Sequence, residues 1–284
     1  MGTTRNNALG VDSFLKKHPA LRALPESAAE IMHLSGDPNC KSPQLVRLIE
    51  KDTALAGAVM KAVNSSFYSL TTKMTRLDRA VAYLGTRTVK EIVFCTCLCT
   101  MCKAADFGTY TARDLWDHGI CVAIAARELA VRSDKLDPEE AFLAGMLHDI
   151  GLMLAAQSEV GQGTALFTQA EMGTGPFGEL EQWIFGFKHG ELGAALARKW
   201  AFPEPHLMVI EFHHRPDEAP EEYQALCHHI YVADTLACQT RIGCPLSAKD
   251  QTVSGDNLQA AALTAEMVDE VNARLPLLMR LHQV

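Results

Sequence analysis

Residues 142–156 read FLAGMLHDIGLMLAA, an apolar stretch interrupted only by the pair His148-Asp149. Its length and its small and branched apolar residues predict a buried helix. Asp137-Pro138, an N-cap residue followed by proline at the first helical position, predicts where this helix begins. Successive residues on a helix project about 100° apart, so His148 and Asp149 could reach one ion from the same turn. The stretch therefore predicts a buried helix that carries two metal-binding side chains.

Five further residues with metal-binding side chains lie on apolar faces of four other predicted helical segments. Each aligns with apolar residues three and four positions away. They are His118, His189, His213, His214 and Asp234. A buried carboxylate without a partner costs several kcal/mol, on the order of the desolvation penalty of a charge, so Asp234 needs a cation or a strong donor. One histidine on an apolar face is usually a hydrogen-bonded core residue, but the seven residues together predict a metal site.

The donor types indicate which metals the site would take. Imidazole and carboxylate suit zinc, iron, manganese or nickel, and no cysteine is placed to make the site rich in thiolate. A mononuclear centre would use His118, His148, Asp149 and Asp234. A second ion would be held by His189, His213 and His214, with Asp149 as the bridge. We therefore expect one or two divalent transition-metal ions.

The heptapeptide at 145–151, GMLHDIG, resembles the signature of the HD phosphohydrolase superfamily, whose fold is all-helical. The ordered motifs between residues 20 and 240 are similar to those of the HDOD (HD-related output domain) family of bacterial signalling and regulatory proteins. These motifs are Leu24-Pro25, Ile49–Leu55, Val63–Tyr68, Ala80–Gly85, Trp116–His118, Phe187–Ala194, Trp200–Pro203, His213-His214 and Ala233-Asp234. The resemblance implies an all-α fold: an HD-domain-like helical bundle with a helical N-terminal lobe.

The same motifs also resemble HD-GYP domains, which hydrolyse cyclic di-GMP at a centre of two or three metal ions. Those enzymes have a lysine directly after the His-Asp-Ile-Gly run, where this chain has Leu152. They also have a Gly-Tyr-Pro motif after the paired histidines, where this chain has Arg215-Pro216-Asp217. Because that lysine helps to hold the substrate phosphate, its replacement predicts that cyclic di-GMP is not a substrate.

Two functional classes follow from these observations. The HDOD resemblance implies a regulatory or scaffolding module that binds a signalling protein or a small phosphorylated ligand. The complete set of metal-binding residues favours instead a metal-dependent phosphohydrolase or phosphodiesterase. In such an enzyme, Asp149 would orient the nucleophile. Lys188 or Arg215 would then replace the missing phosphate-binding lysine.

Composition and charge restrict the partners and the location of the protein. The 284 residues are 48% apolar and carry a net charge of -8, with no run of lysine and arginine. This charge argues against a nucleic-acid surface. The apolar runs fall short of the roughly 20 residues of a membrane span, and residues 1–12 lack a signal-peptide core. The nine cysteines lack the spacing of a disulfide framework, which indicates reduced thiols. Taken together, these features predict a cytoplasmic protein that binds neither membranes nor nucleic acid.

Polar segments of the sequence are interpreted as boundaries that divide the chain into three parts. Residues 1–105 would form a helical N-terminal lobe, residues 106–243 an HD-like core with the metal site, and residues 244–284 a C-terminal helical extension. The lobe contains no candidate ligand, so we expect it to pack against the core and leave a groove for a partner. The amide of Asn64 is expected either to cap a helix end or to hold the two lobes together.

Overall fold

A computed structural model of the chain describes residues 4–22, 30, 42–64, 70–101 and 104–282. Within these ranges the regular structure is helical, and β-pairing is limited to an isolated bridge between Asp106 and Thr111. The predicted all-α fold is therefore confirmed. Leu24-Pro25 and the 65–68 part of another family-like motif lie outside the described residues.

The α-helices are numbered along the chain. They are α1 (Thr4–Lys17), α2 (Ser42–Ile49), α3 (Thr53–Val63), α4 (Leu77–Met101), α5 (Ala112–Ser133), α6 (Pro138–Leu147), α7 (Ile150–Ser158), α8 (Val160–Glu171), α9 (Phe177–Ile184), α10 (His189–Lys199), α11 (Glu204–Phe212), α12 (Glu221–Thr240), α13 (Gly255–Ala260) and α14 (Ala265–His282). Short 3-10 helices cover Pro19–Arg22 and Pro216–Glu218.

The helices form two compact units. The smaller unit takes its described residues from 23–101 and 277–284, and the larger unit takes its described residues from 1–22 and 102–276. All seven candidate ligands belong to the larger unit. The division of the chain into three parts stays a prediction.

In the smaller unit, α2 and α3 pack against α4 around buried aliphatic side chains. The side chain of Asn64, at the end of α3, donates to Met60 O at 2.8 Å and to Met74 O at 2.9 Å. It also accepts a hydrogen bond from Met74 N at 2.7 Å. These bonds cap α3 and tie it to the segment before α4. They therefore support the helix-cap interpretation of Asn64.

In the larger unit, α5 packs against α6 and α12, while α10 packs against α7 and α11. The start of α5 is set by a capping box, in which Thr111 N donates to Asp114 Oδ2 at 2.8 Å. The start of α6 is set by Asp137, whose carboxylate accepts from Glu139 N at 2.9 Å. The helix start predicted from Asp137-Pro138 is therefore confirmed.

The sequence predicted one helix through residues 142–156, and this expectation is wrong at its centre. The chain forms α6 and α7 as separate helices, and His148-Asp149 occupies the turn between them. Asp149 has φ −101° and ψ 15°, outside the helical range. Because the helical phase is interrupted there, the fixed angle expected between the two side chains does not apply.

Two glycines let α7 lie very close to α10. A Cβ built on Gly151 would lie 2.0 Å from the carbonyl oxygen of His189 and 2.7 Å from Gly193 N. A Cβ on Gly193 would meet Gly151 N at 3.2 Å. The close approach places the start of α10, and with it His189, beside the end of the His148-Asp149 turn.

One helical stretch, Pro138–Ser158, is long and apolar enough to cross a membrane when only length and composition are considered. It comprises α6, the His148-Asp149 turn and α7. Of its most apolar window, 78% is buried inside the protein, as expected for a core helix. His148-Asp149 interrupts the stretch and divides it into helices of 10 and 9 residues, each shorter than a span of roughly 20 residues.

Candidate metal centre

The structure brings all seven candidate ligands into one cluster, called here the His/Asp cluster. His118 and Asp234 lie in the middle of α5 and α12, and His148-Asp149 forms the turn between α6 and α7. His189 is the first residue of α10, and His213-His214 directly follows α11. Five of the seven therefore lie at helix ends or in turns, whereas the sequence placed all of them on helix faces.

Asp149 lies at the centre of the cluster. Its Oδ1 is 3.1 Å from His189 Nε2 and 3.4 Å from His213 Nε2. Its Oδ2 is 3.4 Å from His148 Nε2 and 4.0 Å from His118 Nε2. The two carboxylate oxygens thus face two different groups of imidazoles, which is the arrangement of a bridging carboxylate.

The second carboxylate completes one of these groups. Asp234 Oδ1 is 3.1 Å from His118 Nε2 and 3.8 Å from His148 Nε2. Donor atoms of Asp149, His189, His213 and His214 lie within 4.8 Å of one another. The same limit holds for His118, His148 and Asp149. Asp149 therefore belongs to two sets of donor atoms, each compact enough for one ion.

The cluster is buried, and several of its polar atoms are not satisfied by the protein. His148 and Asp234 are 0% exposed, and Asp149 is 9% exposed. The atoms that make no hydrogen bond within the described part of the chain include His118 Nε2, His148 Nε2, Asp149 Oδ1, His214 Nε2 and Asp234 Oδ2. Buried polar atoms are normally paired, so these convergent atoms fit a bound cation.

The imidazoles differ in their proton affinity. Burial disfavours a charged His148, but the carboxylates of Asp149 and Asp234 outweigh burial and raise its pKa to about 9. Burial lowers the pKa of His214 well below its usual value, and the neighbouring His213 and His189 lower it further. Burial also lowers the pKa of His213. His213 and His214 are thus held neutral, the form in which imidazole donates a lone pair to a metal.

Contacts on the far side of the imidazole rings orient them. His148 Nδ1 lies 2.7 Å from Gly145 O, and His213 Nδ1 lies 3.1 Å from Val209 O. Where Nδ1 donates to a carbonyl, Nε2 keeps its lone pair for a metal. The backbone of α6 and α11 therefore turns both Nε2 atoms towards the centre of the cluster.

Glu181 on α9 is a site residue that sequence reasoning missed. It is 1% exposed, and both carboxylate oxygens lie 2.8 Å from His189 Nδ1. One of them also accepts from His189 N at 3.2 Å. Burial raises the pKa of Glu181, although the contact with His189 opposes the shift. The sequence could have indicated this residue, because Glu181 lies near Phe177, Leu180 and Ile184 on an apolar helix face. The same observation led to the prediction of Asp234.

Replacing Glu181 with alanine is expected to weaken metal binding about 10- to 100-fold, because His189 would lose the carboxylate that orients its ring. Glu181→Gln keeps an acceptor for Nδ1 and should recover part of the affinity. Metal affinity is measured by competition with a chromophoric chelator. Glu179→Ala, an exposed change on the same helix, serves as the control. Equal affinity in folded Glu181→Ala and in the control would refute the orienting role.

Segment 243–251 covers one side of the cluster and was also missed. Ser247 Oγ donates to Asp149 Oδ2 at 3.0 Å, and the amide of Gln251 is hydrogen-bonded to His214 Nδ1. On α12, Cys238 Sγ donates to Asp234 Oδ1 at 3.7 Å. A serine and a glutamine in a polar loop do not by themselves indicate a place in a metal site. Ser247 and Gln251 contact the cluster only because the chain folds back over it.

The two predicted phosphate-binding residues lie apart from the cluster. Lys188 is exposed, and its backbone N–H donates to Glu191 Oε2 at 3.1 Å. Arg215 pairs with Glu218 at 3.0 Å and lies over the ring of Phe212. Within the described residues, neither side chain forms a hydrogen bond or ion pair with the seven ligands. Their assignment as phosphate-binding groups stays a prediction.

Known proteins resemble this chain in sequence and fold. An uncharacterized protein of Treponema pallidum (strain Nichols) is 27% identical over 213 residues, which make up 74% of this chain and 41% of that protein. The chain thus spans about two fifths of the length of this relative.

Two crystal structures share the fold. An HDOD domain protein of unknown function from Geobacter sulfurreducens has a TM-score of 0.74 and 23% identity, covering 96% of this chain and 98% of that one. A candidate phosphohydrolase from Shewanella amazonensis SB2B has a TM-score of 0.70 and 23% identity, covering 94% and 96%. The HDOD domain model matches residues 21–216, over two thirds of the sequence. The helical fold, the ordered motifs and this match agree: the chain belongs to the HDOD domain family.

Proposed function

We propose that this protein is a bacterial signalling module that holds one or two divalent transition-metal ions in the His/Asp cluster and acts by binding a partner. The partner would be a signalling protein or a small phosphorylated ligand. The ions would stabilise the larger unit, and the protein would act in the cytoplasm. This proposal concerns the HDOD unit, since the relative from Treponema pallidum is more than twice as long as the matched region.

The observation that carries the proposal is the set of buried donor atoms that lack hydrogen bonds within the described residues. Two carboxylates and five imidazoles converge there, and a cation offsets the cost of burying such groups. His118, His148, Asp149 and Asp234 would hold one ion. His189, His213, His214 and Asp149 would hold the other. A bound divalent ion supplies Lewis-acid stabilisation of phosphoryl oxygens.

Three features favour a regulatory role over hydrolysis. Leu152, at the position of the phosphate-binding lysine in the HD-GYP domains that the sequence resembles, is 1% exposed in the apolar core. Within the described residues, the side chains of Lys188 and Arg215 form no hydrogen bond or ion pair with the cluster, and Arg215 pairs with Glu218. Ser247 is hydrogen-bonded to Asp149 Oδ2, so one of the two oxygens of the carboxylate that would orient a nucleophile is already engaged. The cluster thus has the donors for a metal, whereas neither Lys188 nor Arg215, the two cations predicted to bind substrate phosphate, is paired with it within the described residues.

The alternative is a metal-dependent phosphohydrolase or phosphodiesterase. The observation that favours it is the position of Asp149, which faces both sets of imidazoles as a bridging carboxylate would. The structural neighbour named as a candidate phosphohydrolase has the same fold, but fold likeness does not establish activity.

A metal reconstitution and turnover assay separates the two functions. The purified protein is expected to take up iron, manganese, zinc or nickel without hydrolysing p-nitrophenyl phosphate, bis(p-nitrophenyl) phosphate or cyclic di-GMP faster than Asp149→Ala does. Metal-dependent turnover that Asp149→Ala abolishes would establish the enzyme instead. Absence of metal uptake under every condition would contradict both functions.

A further inference from the structure

A cavity of about 590 Å³ lies beside the His/Asp cluster, within the larger unit. It is lined by the last turns of α12 and by segment 243–251, and Tyr110 forms part of its wall. Cavities that bind small organic ligands usually measure about 300–1,000 Å³. The volume is therefore sufficient for a molecule of mononucleotide size.

The cavity is lined by two cations that no carboxylate neutralises. Arg241 is exposed, and its guanidinium forms no hydrogen bond or ion pair within the described part of the chain. The Nζ of Lys249 donates to a backbone carbonyl, that of Ala170, rather than to an acid. Two acids act on other parts of the wall: Asp234 accepts from the Cys238 thiol at 3.7 Å, and Glu171 contributes to the raised pKa of Tyr110. In a chain of net charge -8, two uncompensated cations at one cavity favour an anionic ligand.

The remaining wall has both apolar and polar groups. Pro245, Ala248 and the ring of Tyr110 offer apolar surface, while Gln239 and Thr235 offer hydrogen bonds. A guanidinium and an ammonium from two segments match a dianionic phosphate better than a single carboxylate. The ligand that fits these groups is an organic phosphate with an apolar or aromatic portion.

The cavity wall also contacts the metal-binding residues. Thr235 Oγ1 donates to Gln251 Oε1 at 3.2 Å, and Gln251 is hydrogen-bonded to His214. Cys238 is another wall residue, and its thiol donates to Asp234. A ligand that displaces Gln251 or Cys238 would therefore change the environment of the cluster directly.

We propose that this cavity is a binding site for a small organic phosphate, separate from the metal ligands, with Arg241 and Lys249 holding the phosphate group. It rests on the proposed ligand-binding function and assigns that function a place in the fold. The phosphate binds at the cations and the organic portion lies against Tyr110 and Pro245. The hydrogen bonds of Gln251 and Cys238 then connect ligand occupancy to the metal centre.

The test is the binding of phenyl phosphate. Isothermal titration calorimetry and ligand-observed NMR measure its affinity. Wild-type protein treated with a chelator is expected to bind phenyl phosphate, and to bind inorganic phosphate and phenol at least tenfold more weakly. Arg241→Gln/Lys249→Gln should weaken phenyl phosphate binding at least tenfold. Arg198→Gln/Lys199→Gln removes the same charge from two exposed positions outside the cavity and should bind as the wild type does.

Three outcomes would overturn the proposal: binding that vanishes with the metal, equal binding by both double variants, or no binding at millimolar phenyl phosphate. The metal content of each variant is measured in parallel. Absence of metal from wild-type protein that has not been treated with chelator would count against the metal-centre proposal. Failure of wild-type protein to bind phenyl phosphate, when its untreated form contains metal, counts only against the cavity.

Discussion

Replacing both His148 and Asp149 with alanine is expected to remove at least nine tenths of the bound metal. Asp149 belongs to both sets of donor atoms, so its loss breaks each of them. Metal that binds only the folded state stabilises it by about 2.7 kcal/mol at a free concentration of 100 times Kd. The wild-type protein should therefore gain thermal stability when metal is added, and the double variant should not.

The measurement is elemental analysis of protein purified without chelator, together with thermal unfolding at several metal concentrations. The matched control is His228→Ala, because His228 is a buried histidine outside the cluster that contacts Asp217 at 3.1 Å. The control should keep its metal even if it loses some stability. If metal content is the same in all three proteins, the His/Asp cluster is a hydrogen-bonded polar core.

The second large effect is expected for Gly151→Ala. A Cβ at this position would lie 2.0 Å from the carbonyl oxygen of His189, which is backbone and cannot rotate away. The helices α7 and α10 must therefore move apart. Forcing extra volume into a packed helix crossing lowers the free energy of unfolding by about 1–3 kcal/mol. We expect a loss near the upper limit of that range, because the contact is with backbone. The movement should also displace His189 from Asp149 and lower metal content.

Chemical denaturation of the metal-free protein measures the change in unfolding free energy. Gly161→Ala provides a control of the same chemistry, since Gly161 lies on α8 and a Cβ there would meet no described atom within 4 Å. Because alanine favours a helix over glycine, this variant should be neutral or up to about 1 kcal/mol more stable. Equal stability of Gly151→Ala and Gly161→Ala would contradict the close crossing.

Several features of the fold were predictable from local sequence. Helical periodicity and the absence of alternating strands predicted the all-α fold, and Asp137-Pro138 marked the start of α6 because capping depends on neighbouring residues alone. The seven candidate ligands could be selected because a histidine or aspartate on an apolar face needs a partner. The same reasoning overlooked Glu181, although its surroundings on α9 have the same apolar character.

The sequence by itself determined the helical class, the family and the residue types at the candidate centre, because periodicity, capping and ordered motifs are local properties. Only the tertiary structure decided that the helix breaks at His148-Asp149 and that Glu181 lies behind His189. It also decided that segment 243–251 returns to cover Asp149 and His214. Such contacts join residues up to 98 positions apart. They depend on how helices cross at Gly151 and where the chain returns, and no local pattern specifies either.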